Sequence, residues 1–412
     1  MNPIPILVAL AAGLILGAVG QGSAWSETLA APAKLIGGLW LNGLKMTIVP
    51  LVVSLLITGI AKTAQASRVG RLAGISVTCF LVVLWSSSAL SAFVTPWLAD
   101  FVPMAAGSAD ALKTTLSESK PVGAVPGMWD FFQSVVPANP IAAAADDAGI
   151  LPLIVFTGAF AFAMLRLPDD QRQTLTNLFE AISETMLTII TWVLWLAPIG
   201  VFALAFVTAS QSGLAALGLL AHYVLVVSLV GTIVWLAAWA VAWIGGGISP
   251  LRFTRAILPA QAVAISTQSS LASLPAMLKA VQSLGVPAAR ADVILPMAVA
   301  LFRATGPAVN LGVALYVAHC LGIKPEPWQL MAGVAAAATT TIGAVSLPGQ
   351  LSFISSIAPI ALAMGVPIEP LALLIAVETL PDIMRTMGNV SMDVAITTVI
   401  DRFSGKAQPA EA

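Results

Sequence analysis

The chain has 412 residues, of which 58% are hydrophobic and 9% charged, with a formal net charge of −1 and a mean hydropathy of +0.96. Soluble domains carry about 25% charged residues, so these values exclude an ordinary soluble globule and point to a polytopic membrane protein. The near-zero net charge also excludes nucleic acid as a partner.

Apolar runs of spanning length are predicted at 3–21, 35–61, 72–98, 150–166, 178–209, 215–245, 291–322 and 368–400, about eight spans. The first run, Ile4 to Val19, has no basic stretch before it and reads as a membrane helix rather than a cleaved signal. The long segment 99–149, with its Pro, Ser and Asp, is expected outside, above the fourth helix. Two stretches do not read as simple spans. In 253–287 the centre is Gln268-Ser269-Ser270-Leu-Ala-Ser273-Leu-Pro275. In 328–366 it is Thr339-Thr340-Thr341-Ile-Gly343-Ala-Val-Ser346-Leu-Pro348-Gly349. Irregular backbone at membrane depth is tolerated only inside protein or along a cavity. Both stretches are therefore predicted to be re-entrant hairpins and to point to a substrate site.

Basic residues set the expected orientation. Lys62, Arg68 and Arg71 follow the second span, and Arg166 and Arg172 the fourth. Arg252 and Arg255 precede the first hairpin, Arg290 the seventh span, and Arg402 and Lys406 close the chain, whereas 210–214 carries no charge. Cytoplasmic termini place nearly all of them inside. Cys79 and Cys320 lie in apolar segments and read as free thiols. With His222 and His319 the only histidines, no metal or disulfide framework is expected.

The most chemical stretch is the last span. Glu378, Asp382, Arg385, Asn389 and Asp393 are spaced 4, 3, 4 and 4, which puts them on one helical face. A charge at mid-membrane costs roughly 2.5–3.5 kcal/mol on insertion scales, so this stripe is expected to face protein, water or a polar solute.

Several motifs resemble the dicarboxylate/amino acid:cation symporter family, which contains glutamate and aspartate transporters. They are Lys45-Met-Thr-Ile-Val-Pro50, Leu151-Pro-Leu-Ile-Val-Phe156, Ala197-Pro-Ile-Gly-Val-Phe202, Ser269-Ser270-Leu-Ala-Ser273-Leu-Pro275, Ile342-Gly343 with Pro348-Gly349, and Asp382-x-x-Arg385-Thr386-Met-x-Asn389-Val-x-x-Asp393. The resemblance covers nearly the whole chain. It implies an all-α membrane protein with eight helices, two re-entrant helical hairpins and a glutamate-transporter-like elevator fold, assembled as a homotrimer in the lipid bilayer. It divides the chain into scaffold helices 1–2 (1–71), transport-domain helix 3 (72–98), an extracellular segment with scaffold helices 4–5 (99–214), and the transport-domain core (215–412). It also implies the plasma membrane of a prokaryote.

Carried over residue by residue, the resemblance assigns Arg385 to the side-chain carboxylate of an acidic amino acid, which suits the planar guanidinium fork. Asp382 would hold the α-amino group, Thr386 and Asn389 would complete the contacts, and the tip at Ser269 and Ser270 would meet the α-carboxylate. Val345 to Gly349, with Ser346, would form the extracellular gate. Glu378 would stand behind the arginine as an ion-pair partner. Neutral amino-acid members lack the arginine and dicarboxylate members tend to lack the aspartate, so both together imply aspartate or glutamate. The competing reading of Asp382 and Arg385 is a purely internal salt bridge.

One part departs from the family pattern. Where the family has Asn-Met-Asp-Gly-Thr with cation-binding oxygens in the seventh helix, the ungapped alignment places Phe302-Arg303-Ala304-Thr305-Gly306. The alternative, Asn310 to Tyr316, needs a deletion that turns the following face by about 100°. In the third helix, the family's cation-binding positions are Phe80, Val83 and Leu84 here. A hard cation needs several oxygens, and only Asp393 and Asn389, from another ion site, remain. Arg303 lies roughly 18 Å into its helix and is expected to act as a tethered cation paired with Asp393, the other reading being a structural or snorkelling arginine. No cofactor is expected. Proton coupling and sodium-independent exchange are both left open, ahead of a full sodium set. Asn310 stands where proton-coupled relatives carry an acid, and His319 reads as a satisfied interfacial histidine. The rivals are a C4-dicarboxylate transporter, a substrate-gated anion channel and a sensor that binds without transport. With no nucleophile–base constellation or phosphate loop, an enzyme is not expected.

Overall fold

The computed structural model describes residues 4–68, 71–104, 136–145, 150–212, 215–343 and 349–405. These residues form helices and turns, with no strand among them. An apolar chain in lipid must satisfy its backbone within each segment, which favours this outcome. In chain order the helices are α1 (Ile4–Val19), α2 (Ala24–Lys45), α3 (Ile48–Arg68), α4 (Arg71–Phe101), α5 (Pro140–Ala145), α6 (Ile150–Met164), α7 (Asp169–Trp195) and α8 (Ala197–Ser212). They continue with α9 (Ala215–Ala240), α10 (Pro250–Thr267), α11 (Ser270–Ser283), α12 (Ala288–Leu301), α13 (Thr305–Leu321), α14 (Pro327–Gly343), α15 (Gly349–Ala363), α16 (Leu371–Leu374) and α17 (Thr379–Gly405).

Among the described residues, five stretches are long and apolar enough to cross a membrane by length and composition: Ala24–Gln65, Arg71–Phe101, Asp169–Trp195, Leu217–Gly245 and Ala288–Leu321. The other predicted spans differ for local reasons. The run 178–209 divides at Leu196, where Pro198 in the first turn of α8 has no N–H to continue the preceding helix. The last span is long enough, but Asp382, Arg385, Asp393, Asp401 and Arg402 make α17 too polar for a simple lipid-facing helix.

Close backbone approach sets the packing of the first helices. A Cβ on Gly13 or Gly17 would fall 2.6 Å from the Phe202 carbonyl oxygen and 2.5 Å from that of Phe206. Two glycines one turn apart thus let α1 and α8 touch directly, the way helices associate where lipid supplies no hydrophobic drive. Trp40 Nε1 donates to the Val193 carbonyl at 2.9 Å and ties α2 to α7.

The two interrupted stretches form the predicted hairpins. In the first, α10 and α11 pack together around a turn at Gln268, the single non-glycine residue with positive φ (+50°) among those described. In the second, α14 packs on α15, and the tip at 344–348 lies outside the described residues. The seventh span breaks between α12 and α13, at Phe302 to Ala304. Helix α17 runs through the middle of this half and touches α9, α10, α11, α12 and α13. The second hairpin also packs on α3, with α15 reaching α6 and α7. Lys45 Nζ and Glu369 Oε1, 2.5 Å apart, join the end of α2 to the segment before α16.

Candidate functional site

Helix α17 opens Thr379-Leu-Pro381, with proline in the first turn where a missing N–H is harmless. The charged stripe is buried: Glu378, immediately before the helix, and Asp393 are fully enclosed, and Asp382, Arg385 and Asn389 are at most 9% exposed. Arg385 is held from both sides. Its Nη2 donates to Glu378 Oε1 at 2.5 Å and its Nη1 to Asp382 Oδ1 at 2.9 Å. Tyr223, from α9, donates its hydroxyl to Glu378 Oε2 at 2.7 Å. These are charge-assisted bonds, about twice as strong as neutral ones. The guanidinium spends two of its five donors this way, and the buried Nε–H has no partner. The internal Asp382–Arg385 pair therefore forms while three donors remain for a ligand.

The break in the seventh span lies against the same face. Thr305 opens α13, and its backbone N–H donates to Asn389 Oδ1 at 3.0 Å. Its hydroxyl sits 2.6 Å from the same oxygen and 2.7 Å from the Arg385 carbonyl. This close approach depends on Gly388, where a Cβ would run into Thr305 Cγ2. Asn389 Oδ1 is thus committed to the break, leaving its amide hydrogens free for other partners. Serines of α4 line the start of α13: Ser87 donates to the Ala304 carbonyl and Ser91 to the Ala308 carbonyl at 2.6 Å, while Ser88 donates to the Val334 carbonyl of α14 at 2.9 Å. Beside them the rings of Phe80 and Phe302 stack, 4.8 Å apart with planes 12° apart, and Leu84 and Ala304 are buried. Phe80, Leu84, Phe302 and Ala304 thus put carbon on this side of the corner, and the serine hydroxyls are bonded to backbone carbonyls.

Arg303 sits within the break, half-buried, with Asp382, Arg385 and Asp393 as the charges that act on it. The direct pairing with Asp393 expected from the sequence is not made. Both Asp393 oxygens are buried without a hydrogen-bond partner. The extended backbone at Phe302 (φ −116°, ψ 113°) places Arg303 among three charges rather than opposite one.

At the first hairpin tip, Ser269 is the N-cap of α11, and its hydroxyl accepts from Ala272 N–H at 3.2 Å while keeping its own proton to donate. Gln268 ends α10 in the left-handed region with its N–H on the Ala264 carbonyl. Ser270 begins α11, whose first-turn N–H groups make the positive end of the helix. Gln261 Nε2 bonds Ser391 Oγ at 3.0 Å and fixes this hairpin to α17. Thr386 is buried and its hydroxyl has no protein partner among the described residues. Ser346 lies outside the described residues, and Gly349 opens α15. His319 Nδ1 lies 3.6 Å from Asp100 Oδ1, away from the stripe.

Sequence reasoning missed Tyr223, Thr305 and the α4 serines. Some signal existed. Tyr223 and Tyr316 are the only tyrosines in the chain, both are fully buried, and a phenol buried in apolar surroundings needs a partner. Likewise Ser86-Ser87-Ser88 and Ser91 interrupt an otherwise apolar span.

A buried charged stripe, a hairpin and a broken span packed together among apolar helices of spanning length fit a multi-pass membrane protein of transporter architecture. The model of the Sodium:dicarboxylate symporter family matches residues 4–403, and the chain belongs to that family. It is 28% identical to the Proton/glutamate-aspartate symporter of Escherichia coli (strain K12), covering 97% of this chain and 92% of that one. It is 27% identical to the Proton/sodium-glutamate symport protein of Bacillus subtilis (strain 168), over 99% and 94%. It is equally 27% identical to the C4-dicarboxylate transport protein of Anaeromyxobacter sp. (strain K), over 99% and 91%.

Proposed function

We propose that this protein is a secondary active transporter for acidic amino acids, aspartate or glutamate, in a prokaryotic plasma membrane. The observation that carries the reading is Arg385, buried at 2.5 and 2.9 Å from Glu378 and Asp382 with three donors to spare. One edge of the guanidinium takes the substrate's side-chain carboxylate while Glu378, braced by Tyr223, holds the other edge. Asp382 takes the α-amino group, and the Ser269–Ser270 tip takes the α-carboxylate. Helices α1–α3 and α5–α8 form a scaffold, and α4 with α9–α17 moves against it as an elevator in a homotrimer. A cavity of about 450 Å³ lies between α3 and α7 on one side and α11 and α12 on the other, bordered by Lys62, Glu180 and Leu274, along the boundary this division draws.

In this reading Arg303 supplies positive charge near Asp393 without a bound sodium ion, acting through space rather than by direct contact. Calorimetry of aspartate binding with and without sodium tests it. Equal binding in both buffers, with sodium-independent binding lost in Arg303→Met, is the expected result. Unchanged binding by Arg303→Met overturns the role of Arg303. Uptake of labelled aspartate into proteoliposomes tests transport itself, and binding without uptake would make the protein a sensor.

A second reading, a C4-dicarboxylate transporter, is favoured by one observation. Two guanidiniums, Arg303 and Arg385, act on the same buried cluster, which suits a ligand with two carboxylates and no amine. Competition of succinate against aspartate separates the two readings.

A further inference from the structure

A second basic site lies at the open end of the first hairpin, away from the α17 stripe. It is a cleft of about 390 Å³ bordered by Ser249, Leu251, Arg252, Arg255, Ser283 and Leu284. It holds two guanidiniums, and no acidic side chain is among its lining residues. Arg252 Nη2 donates to the Ser283 carbonyl at 3.2 Å and so bridges the two arms. Arg255 is exposed and has no hydrogen bond or ion pair among the described residues. The turn leading into the cleft carries a third guanidinium, since Arg402 Nη1 donates to the Gly245 carbonyl at 3.1 Å. The cleft also borders the start of α10, the positive end of an 18-residue helix.

The surroundings point to a lipid rather than a soluble anion. The span Leu217–Gly245 ends here, so the cleft lies where a membrane helix gives way to turn. Leu251 (62% exposed) lines the cleft, and Trp243 (59%) and Ile244 (74%) are exposed in the turn that leads into it. Exposed tryptophan beside aliphatic residues suits the level of the headgroups, and basic pockets between membrane helices recognise anionic headgroups. We propose that this cleft binds the headgroup phosphate of one anionic phospholipid through Arg252 and Arg255, with the acyl chains lying over Trp243, Ile244 and Leu251. Binding depends on charge complementarity at this turn and not on the substrate reading.

Native mass spectrometry of the full chain in detergent, titrated with phosphatidylglycerol or phosphatidylcholine, tests the site. The expected result is one phosphatidylglycerol per chain retained beyond the phosphatidylcholine level, falling at least tenfold in retention in the Arg252→Gln/Arg255→Gln variant. Arg255→Gln alone, at a side chain with no protein partner, keeps the fold and is expected to lose part of that retention. Equal retention of phosphatidylglycerol by wild type and both variants overturns the proposal. So does displacement of the lipid by millimolar inorganic phosphate, which would mark a site for a free anion. Retention unaffected by phosphate supports it.

Discussion

The charged stripe of α17 and the break between α12 and α13 lie against each other, yet they bury their polar atoms in opposite ways. In the stripe, charge meets charge: Arg385 is clamped by Glu378 and Asp382, and Tyr223 braces the clamp. In the break, neutral groups meet the backbone: the Asn389 amide oxygen takes the Thr305 N–H, the Ser87 hydroxyl donates to the Ala304 carbonyl, and the Phe80–Phe302 stack lies beside them. The difference teaches which chemistry each part can do. The stripe keeps spare charged donors for an anionic ligand. The break has spent its nearby oxygens on holding the chain in an irregular shape, and its aromatic wall has none to offer a hard cation.

The strongest way to break the contrast is to remove the charge at its centre. Arg385→Met leaves Glu378 and Asp382 buried without the cation they bond directly, and losing one partner of a buried pair costs about 4 kcal/mol. Thermal unfolding in detergent should show that loss, together with no detectable aspartate binding. Adding Glu378→Gln and Asp382→Asn should restore much of the stability without restoring binding, which separates fold from recognition. Next, Phe302→Ala removes a fully buried ring from the neutral wall. It should destabilise by about 3 kcal/mol while sparing selectivity for acidic over neutral amino acids, read by competition assays. A shift in that selectivity would show that the two regions are not separable.

Thr305→Val probes the seam between them. It removes the hydroxyl that meets Asn389 and the Arg385 carbonyl but leaves the shape, at an expected cost of about 2 kcal/mol for the buried acceptors left behind. Substrate affinity should fall more than stability, because Asn389 and Arg385 both sit in the stripe. The smallest effect is expected at the hairpin tip. Gln268→Gly relieves a left-handed residue worth about 1 kcal/mol, offset in part by the extra freedom of glycine in the unfolded chain. Unfolding should therefore move by less than about 1 kcal/mol, and a large destabilisation would mean that the Gln268 side chain itself carries a contact.

Much of this was legible in the sequence because it is local. The spacing of Glu378, Asp382, Arg385, Asn389 and Asp393 fixes a shared face through the helical period alone, and all five are buried, Glu378 just before α17 and the other four on it. The polar centres at 268–275 and 339–349 announced hairpins because Ser, Thr, Gly and Pro weaken a helix wherever they cluster. What remained open was which atoms meet. The sequence left the Arg385–Asp382 pair undecided between a ligand site and an internal bridge, and it placed Arg303 opposite Asp393. Only the tertiary structure brought Tyr223 to Glu378 across 155 residues and Ser87 to the Ala304 carbonyl across 217. It also set Arg303 among three charges. A helical register follows from neighbours four residues apart, whereas the partner of a buried polar atom is chosen by how separate helices pack, and that choice depends on every close approach, such as Gly388 against Thr305, that a linear reading does not contain.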